Sequence, residues 1–159
     1  MNKRIRKEVD SSCEYILPDY MGDIKKILSS KARVLPGGRF VSDGGVELTG
    51  TVEYEVLYAD SENKLTAVNA SSDYSVVVPA DTEHYVGCAE DGRVSNFTMR
   101  ITGPRKMSLK STVELVGMIT TSAELAVSGN VFDGEREVQY ISRQISVETA
   151  KYGKSVERE

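Results

Sequence analysis

The sequence predicts a mainly β fold: an antiparallel two-layer β-sandwich or partly open barrel carrying one short N-terminal helix. Three observations lead there. From Val46 to Ala59 the apolar residues Val46, Leu48, Val52, Tyr54, Val56 and Tyr58 take alternate positions, with Glu47, Thr49, Thr51, Glu53 and Glu55 between them. Successive strand side chains point to opposite faces, so this segment is one long strand with a dry side and a wet side. From Lys106 a second ribbon repeats the pattern, with Met107, Leu109, Val113, Leu115, Ile119, Ala123, Leu125 and Val127 at odd positions. Turn signals at Pro36-Gly37-Gly38, Ser42-Asp43-Gly44-Gly45 and Gly103-Pro104-Arg105 punctuate the chain. A lone two-stranded ribbon is marginal in water, so the remaining segments must cover the dry faces.

In chain order, residues 1–12 are polar, charged and aperiodic, and read as a flexible N-terminal segment. Tyr15-Ile16-Leu17, stopped by Pro18, reads as an edge strand or extended lead-in. Between Pro18 and Ser30, Ile24, Ile27 and Leu28 stand at i, i+3, i+4, which predicts a short amphipathic helix placed on one sheet face. Ala32 to Leu35 is a brief strand. Gly50, on the dry side of the central ribbon, predicts a bulge or close approach. Asp60 to Lys64 is a hairpin loop, after which Lys64 to Ala70 returns beside the central strand. Tyr74 to Pro79, with Val76-Val77-Val78, is a strand apolar on both faces or an edge strand ended by proline.

Residues 80–92 show the least pattern, whereas Arg93 to Gly103 alternates through Phe97, Met99 and Ile101. The second ribbon exceeds the usual ~3–10 residues of a strand, so a bulge or bend is expected near Gly117 or Ser122. Residues 129–159 fit a last strand, a helix or a connector. A short echo links Leu48-Thr49-Gly50-Thr51-Val52-Glu53-Tyr54 with Leu109-Lys110-Ser111-Thr112-Val113-Glu114-Leu115. It marks either two strands doing the same job in two layers or chance composition.

The 159 residues suffice for one domain, expected over 13–128. Hydrophobic and charged contents of 40% and 28% are those of a soluble globular protein. No run approaches the ~20 apolar residues of a membrane span, so no membrane insertion is expected. The basic start, Met1 to Lys7, has no apolar stretch after it and predicts no signal peptide. A net charge of −4 argues against a nucleic-acid partner, which requires a clustered basic surface. Two cysteines, Cys13 and Cys88, are too few for a disulfide framework and point to a reducing compartment.

The residues offer no catalytic, cofactor or metal constellation. His84 is the single histidine, with Cys88 four positions later; structural zinc takes four N or S ligands, and this spacing matches no Cys–His signature. Neither G-x-S-x-G, G-x-G-x-x-G nor a P-loop pattern occurs. Asp60, Glu62 and Asn63 are followed by Lys64 where a calcium loop continues with a ligand. Glu47, Glu53 and Glu55 share a face, as a glycosidase carboxylate pair would, yet alternate positions on a wet face are where charge belongs. Asn69-Ala70-Ser71 and Asn96-Phe97-Thr98 match the glycosylation sequon and are idle without secretion. What remains is surface, since long strands present edges that recruit other chains.

Three stretches resemble a known family. Tyr15-Ile16-Leu17-Pro18-Asp19-Tyr20-Met21-Gly22-Asp23-Ile24-Lys25-Lys26-Ile27-Leu28 is similar to the hPDhxxDIxxIL opening of the SPOCS domain, found in SipL-like proteins of spore coat and exosporium assembly. Val46 to Tyr58 resembles its strand ending Val-Leu-Tyr, and Lys106 to Ile119 its closing strand, KhxhKxxVxhxG. The resemblance spans about residues 13–120. It implies a non-enzymatic building or docking module, made in the mother-cell cytoplasm of a sporulating bacterium and placed on the spore surface layers. Its expected partners are copies of itself or other spore-envelope proteins, such as the coat ATPase, with no small-molecule substrate. The chain departs from larger members in lacking a LysM pattern, which leaves peptidoglycan binding without support. Contacts are expected through strand edges and the wet-face residues Glu47, Thr49, Thr51, Glu53 and Glu55, with Cys13 or Cys88 able to cross-link subunits once exposed to oxidant.

Overall fold

Residues 1–123 are described by a computed structural model. Six strands account for most of them: β1 (Asn2–Ile16), β2 (Ile24–Ser42), β3 (Gly45–Asp60), β4 (Leu65–Val78), β5 (Tyr85–Gly103) and β6 (Lys106–Thr121). They form two antiparallel three-stranded sheets, one ordered β1-β6-β5 and the other β2-β3-β4. We call these sheet A and sheet B. The sheets face each other, with β1 approaching β4 along one seam and β2 approaching β5 along the other. The expectation for residues 129–159 lies outside the described residues, as do Leu125 and Val127 of the second ribbon.

Both ribbons read from alternation become the middle strands. Val46, Leu48, Val52, Tyr54, Val56 and Tyr58 of β3 face Met107, Leu109, Val113, Leu115 and Ile119 of β6, and all are essentially excluded from water. Burying such side chains contributes roughly 1.5–3 kcal/mol each, which makes this the principal source of stability. Gly50 is the close approach that its position predicts. A Cβ there would lie 2.2 Å from the Tyr74 hydroxyl, so only glycine leaves room for that ring.

Four expectations are corrected. Residues 18–30 do not form a helix, and there is none among the described residues; β2 begins at Ile24. Its register slips between Ile24 and Lys26 and again between Ile27 and Ser29. Each bulge adds one residue, so Ile24 and Ile27, three apart, face the same side opposite Asp60 and Tyr58. A bulged strand thereby imitates helical spacing. The Pro36-Gly37-Gly38 turn is likewise a third irregularity inside β2, between Pro36 and Arg39. Residues 2–12, expected to be flexible, belong to β1, an edge strand that also takes in Tyr15 and Ile16, as the edge-strand reading of that run has it. Finally, of the two places given for a break in the second ribbon, Gly117 is passed without one, whereas β6 does end at Thr121, directly before Ser122; the bulges lie on its neighbour β5, at Tyr85/Gly87, Val94/Asn96 and Ile101/Gly103. Gly117 is needed for another reason, because a Cβ would sit 2.2 Å from the Ala89 carbonyl oxygen.

The echo between the ribbons belongs to a larger repeat. Strand β2 starts and ends at Ile24 and Ser42, β5 at Tyr85 and Gly103; β3 starts and ends at Gly45 and Asp60, β6 at Lys106 and Thr121. Every boundary recurs 61 residues later, and the bulge opposite Ala59 and Asp60 recurs opposite Thr120 and Thr121. Two like hairpins thus face each other. The third strand differs: β4 follows β3 through the Asp60 to Lys64 loop, whereas β6 is completed by β1 from the far end of the chain.

Between the layers lies a buried polar knot. The Tyr54 hydroxyl reaches Ser111 Oγ at 2.7 Å, Ser72 Oγ at 2.9 Å and the Ser11 carbonyl at 3.2 Å, while Ser11 and Ser72 share a 2.6 Å bond. It ties β1, β3, β4 and β6 together at one depth. Leaving any of these groups unpaired would cost about 1–3 kcal/mol, so the knot fixes how the sheets are aligned.

Candidate functional site

The wet-face residues of β3 lie on the outer surface of sheet B, but in its middle strand, where edge strands already engage them. Glu47 accepts from Ser75 Oγ, Thr51 donates to Asp73 at 2.8 Å, and Thr49 accepts from the Gly38 amide at 3.0 Å. Arg33 pairs with Glu53. Glu55 is exposed between Lys31 and Asn69 in the ladder. Glu53 and Glu55 also rim a depression of about 1000 Å³, which opens at the β2/β5 seam over Ala32, Tyr54, Val94 and Phe97. Tyr54 and Phe97 stack there at 5.5 Å.

The side chains that protrude from this face belong to the edges. Phe40, Glu47 and Val77 form one cross-strand row, with Phe40 57% exposed and Val77 46%. Leu35, beside Thr51, is also exposed. Strand reading reached Val77 as part of an apolar run but missed Phe40, because the proline and glycines before it hid the strand. On the outer face of sheet A, Val116, Met118 and Ala89 line a second depression of about 730 Å³ beside Arg4.

Two carboxylates are covered by arginine. Glu114, at the centre of sheet A, meets Arg93 and Arg6 from the two flanking strands, each at 2.5 Å, and its side chain is 3% exposed. The Arg93 hydrogen bond, ahead of the charge of Arg6, holds its carboxyl below the usual range. Glu90 is 4% exposed at the β2/β5 seam and accepts from Arg39 Nε at 2.5 Å, which links the two sheets.

The thiols and the histidine do not converge. His84 Nδ1 is 2.8 Å from Asp81 Oδ2 in the exposed approach to β5, and that contact lowers the Asp81 pKa. Cys88 Sγ lies 3.6 Å from Glu90. Burial first, then the charge and hydrogen bond of Glu90, push its thiol up to about 11. Cys13 is half-buried in β1 opposite Leu109, and burial raises it too. The thiolate is the reactive form, so at pH 8 Cys88 is ionised to about one part in a thousand. Alkylation by iodoacetamide is therefore expected to be slow at Cys88 and to rise tenfold per pH unit up to about 11. A rate plateau near pH 8.5, followed by mass spectrometry, would contradict this environment. Burial, by raising both thiols, slows disulfide formation through Cys13 or Cys88 in the folded state.

No family model, curated protein or solved structure matches the chain. Among the described residues no group of three or more His, Cys, Asp and Glu is arranged to hold a metal ion. The exposed apolar side chains single out two surfaces as the candidate site: the Phe40, Leu35 and Val77 edge of sheet B, and the Val116 and Met118 depression of sheet A.

Proposed function

We propose that the chain is a non-enzymatic structural and interaction module of the bacterial endospore envelope, coat or exosporium, that associates with further copies of itself. The observation carrying this reading is that large apolar side chains face solvent on two opposite surfaces, Phe40, Leu35 and Val77 on sheet B and Val116 on sheet A. Adjacent apolar surface on a folded chain favours contact with another protein. Two such surfaces facing opposite ways build extended arrays rather than closing at a dimer. The resemblance to the SPOCS family supports the setting, and two residues of its opening block have a structural task. Arg105 donates to the Pro18 carbonyl and to Asp23 Oδ1, each at 2.7 Å, and so fixes the crossing from sheet A to sheet B.

The test is molar mass by light scattering over a wide concentration range. Mass that grows with concentration, and grows less in the Phe40→Ser, Val77→Ser double variant, supports self-association. A constant monomer mass overturns it. The second reading, an adaptor that docks on another morphogenetic protein, is favoured by the apolar lining of the Val116 and Met118 depression, and it predicts that constant mass.

A further inference from the structure

The repeat shows that β1 occupies a place foreign to its own hairpin. In sheet B the third strand, β4, is joined to its neighbour by a short loop. In sheet A the same place beside β6 is taken by β1, whose pairing joins residues as distant as Asn2 and Thr120. We propose that this strand exchanges between copies, with β1 of one molecule completing the β6 edge of another, and that the partner is a second copy of this chain. The proposal deepens the self-association reading and rests on it.

Three features make β1 the exchangeable element. Its core-facing positions opposite β6 are Lys3, Ile5, Lys7, Val9, Ser11, Cys13 and Tyr15, of which only Ile5 and Ser11 are buried. Strand β4 buries Val68, Ser72, Tyr74 and Val78 in the equivalent place. The apolar grip on β1 is thus the weaker of the two. Its further holds are polar and directional: the Ser11 bonds of the buried knot, and those of Lys106 to Glu14, Thr112 to Asp10, Arg6 to Glu114 and Lys3 to the Pro79 carbonyl. An identical strand from another copy restores every one of them, so exchange leaves the ladder energy unchanged and is decided by concentration and by the hinge. The hinge is the segment after Leu17, which is buried, and before Ile24, where β2 starts; the Arg105 bonds to the Pro18 carbonyl and Asp23 that brace this crossing are what its opening has to release. Pro18 lies within it, and Tyr20 at its middle is 84% exposed.

Only the connection distinguishes the two states, so a covalent tie between opposed β1 and β6 residues reads it directly. Ser12 and Lys110 are exposed, directly opposed and turned away from the core. The full chain would carry Ser12→Cys and Lys110→Cys with Cys13→Ser and Cys88→Ser. It would be concentrated, separated into assembled and monomeric fractions, oxidised, denatured and run without reductant. Exchange predicts chain-to-chain bands at twice the chain mass and above in the assembled fraction, and only chain-mass bands in the monomer fraction. Asp10→Cys with Thr112→Cys, an independent opposed pair, must give the same result if the first variant folds poorly. Assemblies that yield only chain-mass disulfides overturn the exchange while leaving self-association standing. A chain that never assembles overturns both.

Discussion

Replacing Gly50 with alanine is expected to lower the stability of the domain by about 3 kcal/mol, at the upper end of ordinary overpacking penalties. The new methyl would meet the Tyr74 hydroxyl at 2.2 Å, its ring carbon at 2.4 Å and the Leu35 carbonyl oxygen at 2.7 Å. The tyrosine is a large ring held in the core, and the carbonyl belongs to β2 backbone paired with β3, so neither gives way cheaply. For a domain of this size the loss lowers the melting temperature by roughly 10 to 15 °C. Tyr74→Phe should rescue almost nothing, since the ring carbon remains. Tyr74→Ala should couple strongly, the double variant being less destabilised than the summed singles by 1 kcal/mol or more on the usual scale for residues in contact. Additive losses in denaturant melts would mean that Gly50 and Tyr74 do not collide.

How much of this was legible from sequence depends on how regular each strand is. Strands β3 and β6 are unbulged on their own side of the ladder and have one dry face each, so Val46 to Tyr58 and Met107 to Ile119 declare themselves by alternation. Gly50 stood out because it interrupted that row. Arg93 to Gly103 of β5 was read from its alternation, but the first half of β5 and most of β2 were obscured by bulges, each of which moves later side chains to the other face and breaks the two-residue period. In β2 this turned Ile24 and Ile27 into a helix-like pair. Strand β1 was hidden differently, since Lys3, Lys7 and Ser11 occupy inward positions where a strand reading expects apolar residues. Of the candidate site, the acidic row of β3 was legible as a wet face. That edge strands brace it, leaving Phe40 and Val77 to protrude, depends on pairings that local pattern does not contain. The same holds for Arg39 and Glu90, which lie on different sheets.

Arg39→Met is expected to cost about 2–3 kcal/mol. Removing one partner of a fully buried pair typically costs 3–5 kcal/mol, because a covered charge is left alone. Here Glu90 is 4% exposed but Arg39 is 43% exposed, so water can partly replace the guanidinium and the figure is reduced accordingly. The pair spans the β2/β5 seam, where no backbone ladder joins the sheets, so its loss falls on the contact between layers rather than on either hairpin. Converting both residues, Arg39→Met with Glu90→Met, should recover most of the stability, since an apolar pair of similar size carries no desolvation cost. Glu90→Met alone should be milder than Arg39→Met, because the arginine left behind can swing into solvent whereas the glutamate cannot. Urea titrations of the four proteins give the cycle. If the two single variants cost the same and their effects simply add, the seam is held by packing and the ion pair is incidental to it.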